Sequence, residues 1–153
     1  MRPDEQVRNQ ELEPQDDGTV LIVDDERDKL IITKHPLEKA GIHCLTASSG
    51  RECVAVAQRQ QVDLILLDLL MPGMDGWDTF AALQANATTK DIPVIMLTCV
   101  EGWGVRTRAM REGVSQFLTR PVPRERLLAC VRSQLQGIRT KQRLESLLRS
   151  IPA

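Results

Sequence analysis

A chain of 153 residues, of which 42% are hydrophobic, can bury the core of one domain, and it leaves no room for a second globular domain. The formal net charge of -1 gives no overall field that would draw the protein to nucleic acid or to an anionic membrane. The N-terminus lacks the apolar core of a signal peptide, and no apolar run approaches the ~20 residues of a membrane span, so we expect a cytoplasmic protein.

The first part of the chain is acidic. Residues 1–18 carry six acidic residues against two arginines, with few sizeable apolar side chains. Such a segment cannot bury enough apolar surface to offset the entropy of ordering it. The sequence therefore predicts a flexible acidic tail over residues 1–18.

Beyond this tail, short apolar runs alternate with helical patterns. The runs are unbroken stretches of Val, Ile and Leu, which are typical of parallel strands covered by helices on both faces. The pattern predicts five strands, over residues 19–23, 43–47, 64–67, 93–97 and 116–118. It predicts helices over residues 30–40, 51–60, 79–85 and 105–111, and a last helix from residue 124. The expected fold class is α/β, a three-layer sandwich on a five-stranded parallel sheet. Pro36 lies inside the first helical pattern and is expected to kink or shorten that helix.

The last helical pattern continues toward the end of the chain. Its apolar residues recur at spacings of three and four and predict one long helix: Leu128, Val131, Leu135 and Ile138. Gly137 and a break in register near Gln142 leave the continuity of this helix open. Residues 124–149 hold seven basic residues against two acidic ones, which we interpret as a solvated helix face. A dimerising or signal-transmitting helix is the alternative, and nucleic-acid binding is not expected because no recognition motif accompanies the basic residues.

Polar residues follow the predicted strands at one edge of the sheet. They are Asp24 and Asp25 after the first strand, Asp68 after the third, Thr98 after the fourth, and Thr119 and Arg120 after the fifth. Any one of them alone could cap the helix that follows, but so many coinciding caps are improbable. Ligands of open parallel sheets bind at this edge, so we expect a functional site there.

Three carboxylates at this edge would repel one another. At a separation near 4 Å each pair costs about 4 kcal/mol at an effective dielectric constant of 20, so the cluster needs raised pKa values or a cation. A hard cation that prefers oxygen ligands, most plausibly Mg²⁺, meets this need.

Four stretches give these residues a specific context. They read Val-Asp-Asp-Glu at 23–26, Leu-Leu-Asp-Leu-Leu-Met-Pro-Gly-Met-Asp-Gly at 66–76, Leu-Thr at 97–98 and Phe-Leu-Thr-Arg-Pro at 117–121. With these motifs the chain resembles the receiver domain of response regulators. The resemblance implies a flavodoxin-like fold with strand order 2-1-3-4-5 and five helices. We therefore expect a receiver domain over residues 19–135, followed by a helical extension or linker over residues 136–153.

The resemblance also implies chemistry for this edge of the sheet. Asp68 would be the phosphoacceptor, taking a phosphoryl group from a sensor histidine kinase, from a phosphotransfer protein or from a small phosphodonor. Asp25, Asp68 and the backbone carbonyl of Leu70 would bind Mg²⁺ directly, with Asp24 acting through a bound water. The protein would catalyse only its own phosphorylation and dephosphorylation.

Three further residues would respond to the phosphoryl group. Thr98 and Arg120 would contact its oxygens, and Phe117 would turn inward, although a plain core role for Phe117 is the alternative. The face made by the fourth helix, the fifth strand and the fifth helix would then change shape. A downstream protein or an output domain would recognise the changed face. Either this face or the C-terminal helix would support a homodimer.

The sequence departs from the family pattern at a few positions. Arg120 stands where the family has a lysine, and because its planar fork is bulkier than an ammonium group, we expect slower phosphorylation or a weaker switch. Pro121 is a candidate for a cis peptide bond. Leu70 and Val100 are both apolar beside the path of an attacking water, which predicts a longer phosphorylated lifetime unless they merely pack against neighbours.

Two other functions remain open. A degenerate receiver would bind partners without phosphorylation, and Arg120 is the feature that supports it. An aspartyl-phosphate phosphohydrolase would also be built on a parallel sheet, but that family has two acids separated by one residue after its first strand. Asp24 and Asp25 are adjacent, so this interpretation ranks last.

Overall fold

The computed structural model describes residues 18–99 and 102–151. The predicted acidic tail lies outside these residues except for Gly18, and so does Val100. Within the described residues the strands are β1 (Thr19–Val23), β2 (His43–Ala47), β3 (Leu64–Asp68), β4 (Val94–Thr98) and β5 (Gln116–Thr119). The helices are α1 (Arg27–Lys39), α2 (Gly50–Arg59), α3 (Gly76–Gln84), α4 (Trp103–Glu112) and α5 (Arg124–Ser150).

All the strands lie in one parallel sheet of order β2-β1-β3-β4-β5, so the predicted fold class and strand order are confirmed. In the β1–β3 pairing, Val23 lies opposite Leu67, and in the β3–β4 pairing Asp68 lies opposite Leu97. The carboxyl ends of β1, β3 and β4 therefore meet at the same edge of the sheet.

Successive side chains of each strand point to opposite faces of the sheet, and each face is covered by helices. On one face α1 and α5 cover a buried cluster that includes Ile22, Leu66, Ile95, Leu37 and Val131. On the other face α2 and α3 cover a second cluster, which includes Leu21, Ile65, Met96, Cys53 and Phe80, and Val105 of α4 packs against it. Because both faces are buried, the strands carry apolar residues without alternation.

Three helices begin two or three residues earlier than their apolar pattern predicts. α1 begins at Arg27, α3 at Gly76 and α4 at Trp103. Their first turns are polar or glycine-containing, so they add nothing to an apolar periodicity. At α3 the start is fixed by Asp75, whose side chain accepts a hydrogen bond from the Asp78 N–H (2.8 Å).

The expectation that Pro36 shortens the first helix is wrong. α1 runs through Pro36 to Lys39, and Pro36 is buried. The proline lies in the last turns of the helix, where removing one donor leaves the following Leu37 and the core beneath it in place.

The last helix is continuous from Arg124 to Ser150, so Gly137 does not interrupt it. Leu127, Val131 and Leu135 are buried against the sheet, whereas residues 140–150 are exposed. In the described part of the chain, no helix combines the length and the apolar character that crossing a membrane requires.

Candidate functional site

Asp24, Asp25 and Asp68 come together at the carboxyl edge of the sheet. One carboxylate oxygen from each lies within 4.8 Å of the others. Asp24 and Asp25 follow β1 and Asp68 ends β3, and these strands are neighbours, so their paired register brings the acids together. Asp24 is 0% exposed and Asp68 is 4% exposed, whereas Asp25 is exposed to solvent.

Asp24 is held by two partners. Its Oδ1 accepts a hydrogen bond from the Glu26 N–H (2.9 Å), and its Oδ2 accepts one from Nη1 of Arg120 (2.7 Å). The Arg120 side chain is 13% exposed and the Asp24 side chain 0%, so this is a buried ion pair. Sequence analysis placed both residues in the site but missed their pairing, because no local signal links residues 96 positions apart.

Asp68 lies in a less favourable environment for its charge. Burial and the nearby Asp24 carboxylate raise the pKa of Asp68 from 3.8 to about 6, against the opposing effect of Arg120. The Leu70 N–H also donates to Oδ1 of Asp68 (3.3 Å). The raised pKa means that the neighbouring cations and the hydrogen bond do not fully offset the cost of ionising Asp68. Such an uncompensated carboxylate is expected in a site that binds a cation.

Lys29 adds a second cation that sequence analysis missed. Its ammonium group pairs with Glu26 at 2.8 Å and contributes a weak favourable interaction to the Asp68 carboxylate. The pairing with Glu26 raises the pKa of Lys29. Glu26 precedes α1 and Lys29 lies in its first turn. A spacing of three residues is typical of side chains that pair on a helix, so the sequence did contain a signal for this ion pair.

The loop after β3 approaches Asp68 closely. A Cβ atom at Gly76 would lie 2.6 Å from the carbonyl oxygen of Asp68 and 2.7 Å from Cα of Leu69, so only glycine fits there. The Gly76 N–H donates to the carbonyl oxygen of Leu69 (2.9 Å), which ties the start of α3 to the end of β3. The side chain of Leu70 points away from the core and is 56% exposed.

The remaining predicted residues lie on β4, β5 and the turn that follows. Thr98 is fully buried at the end of β4, and its carbonyl oxygen accepts a hydrogen bond from the Arg120 N–H (2.7 Å). The Arg120–Pro121 peptide bond is cis. Phe117 lies opposite Met96 in the sheet and packs, partly buried, against the cluster under α2 and α3.

The donor set of this site fits Mg²⁺. The ligands available are carboxylate oxygens, which this hard cation prefers. Both oxygens of Asp24 already accept hydrogen bonds, whereas Asp25 is exposed and Asp68 accepts a long hydrogen bond from the Leu70 N–H. The three carboxylates therefore lie close enough together to share one cation.

Comparison with known proteins decides the family. The sequence model of one protein family, the response regulator receiver domain, matches residues 20–132 of this chain. The chain belongs to this family. Receiver domains are signalling modules of two-component systems that bind Mg²⁺ at an acidic pocket and interact with histidine kinases and downstream effectors. The resemblance read from the sequence motifs is thus confirmed.

Individual relatives of this receiver differ in length. Protein PilH of Pseudomonas aeruginosa is 35% identical over 118 residues, which cover 77% of this chain and 98% of PilH. Response regulator PleD of Caulobacter vibrioides is 38% identical over 114 residues, 74% of this chain, but this chain spans only 25% of PleD. The structure of chemotaxis protein CheY4 of Vibrio cholerae superposes with a TM-score of 0.72 at 31% identity, covering 76% of this chain and 97% of CheY4.

Proposed function

We propose that Asp68 accepts a phosphoryl group from the phosphohistidine of a sensor histidine kinase or phosphotransfer protein. A carboxylate oxygen of Asp68 attacks phosphorus, the phosphorus–nitrogen bond breaks, and an acyl phosphate forms on the protein. The observation that carries this proposal is the cluster of Asp24, Asp25 and Asp68 within 4.8 Å at the ligand-binding edge of the sheet.

The site residues have separate tasks in this proposal. Asp25, Asp68 and the backbone carbonyl of Leu70 would hold Mg²⁺, with Asp24 acting through a bound water. The cation would neutralise the charge on the transferred phosphoryl group. Asp68 would supply the nucleophile, and its burial together with the hydrogen bond from the Leu70 N–H would help to orient the carboxylate for phosphoryl transfer. Arg120, already 2.7 Å from Asp24, lies near enough to the cluster to contact a phosphoryl oxygen.

The switch would start at Thr98 and Arg120. A phosphoryl group adds negative charge and acceptor oxygens, which would draw the Thr98 hydroxyl and the Arg120 guanidinium toward it. Nη2 of Arg120 is buried and has no hydrogen-bond partner among the described residues, so it has a donor to offer a new acceptor. The partly buried Phe117 would turn inward, and the face of α4, β5 and α5 would change shape toward its downstream partner.

The same proposal covers the residue bounds of the receiver domain and its location in the cell. The receiver would span residues 19–135, since the buried stripe of α5 ends at Leu135, and residues 136–153 would form a helical extension. The module would work in the cytoplasm. A separate downstream protein or an output domain of the same polypeptide would respond to the switch.

The proposal is tested by incubating the full chain with a small phosphodonor and Mg²⁺ and measuring the mass of the intact protein by mass spectrometry. We expect a gain of one phosphoryl group that hydroxylamine removes, and we expect Asp68→Asn to abolish the gain. Asp91→Asn is the matched control, because Asp91 is exposed and outside the acidic cluster. The absence of any Asp68-dependent gain would support the phosphorylation-independent alternative. Multiple turnover on a phosphate ester would instead support a phosphohydrolase.

A further inference from the structure

A basic stripe runs along one side of α5. It consists of Arg132, Arg139 and Arg143, whose spacings of seven and four residues place them on one face of the helix. Arg132 and Arg143 are exposed, and Arg139 is partly exposed. The proposed phosphoacceptor chemistry does not use these residues, because α5 carries them away from the carboxyl edge of the sheet.

The N-terminal residues join the described fold beside this basic stripe. A Cβ atom at Gly18 would lie 3.1 Å from Cδ2 of Leu135, so the backbone at Gly18 is close to α5. Gly18, Leu135 and Arg139 line one cavity of about 150 Å³. The Thr19 N–H donates to Oδ2 of Asp63 (2.7 Å), which fixes this position. Gly18, where the described fold begins, therefore lies beside α5 and lines the same cavity as Arg139.

The charges of the two segments are complementary. Residues 1–17 contain six acidic residues against Arg2 and Arg8. Four of the acids precede Gly18 by seven positions or fewer in the sequence: Glu11, Glu13, Asp16 and Asp17. Residues 124–149 contain seven basic residues against two acidic ones. Unlike charges on one chain attract, and covalent attachment at Gly18 gives the acidic segment a high effective concentration at the basic stripe.

We propose that the acidic segment of residues 1–17 docks along the basic stripe of α5 in the same chain. Its length suffices: 17 extended residues reach roughly 55 Å, whereas the stripe from Arg132 to Arg143 is about 17 Å long. A second copy's α5 is a poorer occupant, because it would bring like charges together along the stripe. The basic stripe is thus an internal docking surface for a peptide rich in Asp and Glu.

The first test uses carbodiimide, which joins a carboxylate to a nearby amine. Arg143→Lys places an amine on the basic stripe of the full chain, and the native Lys141, on another face of the same exposed segment, is the internal control. We expect residue 143 to be joined to residues 1–17 within the monomer, several-fold more than Lys141. The preference should vanish near 1 M NaCl, where the Debye length is about 3 Å. Equal joining at both positions, or joining only between two chains, would overturn the proposal.

The second test leaves α5 unchanged. In a full-chain variant with Glu11→Gln, Glu13→Gln, Asp16→Asn and Asp17→Asn, we expect several-fold faster amide hydrogen exchange over residues 139–150, with β1 and β3 unaffected. Unchanged exchange over residues 139–150 would contradict the proposal. Phosphorylation of Asp68 is measured in the same variant: docking can fail while phosphorylation persists, so the two proposals fail separately.

Discussion

The guanidinium group of Arg120 joins two distant parts of the chain at the site. It follows β5, yet it binds the carboxylate of Asp24 at the end of β1, and both side chains are almost completely buried. Removing one partner of a buried ion pair strands the other charge in a poorly solvated place. A single side chain therefore influences both the stability of the fold and the charge around Asp68.

Replacing Arg120 with methionine tests the energy of this pair. We expect Arg120→Met to lower the free energy of unfolding by about 3 kcal/mol, because Asp24 would keep its burial and lose its cation. Lys34→Met is the matched control: Lys34 pairs with Glu38 at 3.4 Å on the exposed side of α1, and its loss should cost about 0.5 kcal/mol or less. Urea unfolding measures both variants, and equal losses would contradict a special role for the buried pair.

Replacing Arg120 with lysine tests the departure from the family pattern. Lysine keeps the positive charge but presents a compact ammonium group in place of a planar fork. We expect Arg120→Lys to become phosphorylated several-fold faster by a small phosphodonor with Mg²⁺, as followed by intact mass over time. A rate equal to or below that of the parent protein would show that arginine is not limiting.

The raised pKa of Asp68 makes stability depend on pH. Since its folded-state pKa is about 6 against 3.8 for an ordinary aspartate, the folded protein binds this proton more tightly than the unfolded chain does. The resulting stabilisation is complete below the lower value and is lost as the pH rises through about 6. Ionised Asp68 is therefore destabilising at neutral pH when no metal is bound.

Asp68→Asn removes this ionised carboxylate while keeping its shape. In the presence of a chelator, we expect the variant to exceed the parent in unfolding free energy by about 1 to 2 kcal/mol near neutral pH. The excess should shrink by about 1 kcal/mol at a pH near 5, where Asp68 in the parent is protonated. Urea unfolding at both pH values checks this. A difference in unfolding free energy between the variant and the parent that is the same at both pH values would argue against the raised pKa.

At the scale of single elements, the connection from β3 to α3 is the most constrained part of the site. Gly76 begins α3 directly above the backbone of Asp68 and Leu69, and Asp75 caps the same helix. The helix can start there only because no side chain intervenes. The apolar pattern could not reveal this start, since neither a glycine nor a capping aspartate contributes to it.

Gly76→Ala is expected to lower the unfolding free energy by about 2 kcal/mol, because the new methyl group would collide with the backbone next to Asp68. Gly137→Ala is the matched control: Gly137 lies inside α5, and a Cβ atom there would meet no atom of the described residues within 4 Å outside the neighbouring turns of the helix. It should raise stability by about 0.5 to 1 kcal/mol, as alanine does in an open helix interior. Thermal unfolding measures both, and a neutral Gly76→Ala would contradict the close approach.

The same two glycines show why some elements were harder to predict than others. All five strands were predicted to within one residue of their ends, because buried parallel strands are unbroken apolar runs. One long helix was predicted for α5, but its continuity was left open, because Gly137 disfavours helix and the exposed residues beyond it make few packing contacts that a pattern could reveal. The first turns of α5 pack against the sheet and fix the direction of the helix. The helix propensity of the residues beyond Gly137 is then sufficient to extend it.

At the scale of the whole molecule, the parallel arrangement of the strands explains why the acidic cluster was predictable. Parallel strands deliver their carboxyl ends to one edge, and the strand order implied by the family resemblance makes β1 and β3 neighbours, so the residues that follow these two strands meet. The pairing of Asp24 with Arg120 needed side-chain positions that strand order alone does not supply. The cluster therefore follows from topology, and its internal ion pair follows from packing.

Binding of Mg²⁺ should stabilise the whole fold, because the cation is held by residues that only folding brings together. We expect a gain of about 1.4 kcal/mol when Mg²⁺ is present at roughly ten times its Kd. Asp25→Asn should remove most of this gain while leaving stability without metal nearly unchanged, since Asp25 is exposed. Thermal unfolding with Mg²⁺ or with a chelator checks this, and an equal gain in both proteins would exclude Asp25 as a ligand.

The length of α5 gives the molecule a mechanical property. The 15 residues from Gln136 to Ser150 extend about 22 Å beyond Leu135, the last buried residue of the helix. A tilt of roughly 5° about Leu135 would displace Ser150 by about 2 Å, several times more than the movement at the pivot. With such a tilt the helix would act as a lever arm, converting a small rearrangement at the sheet into a larger displacement at its tip.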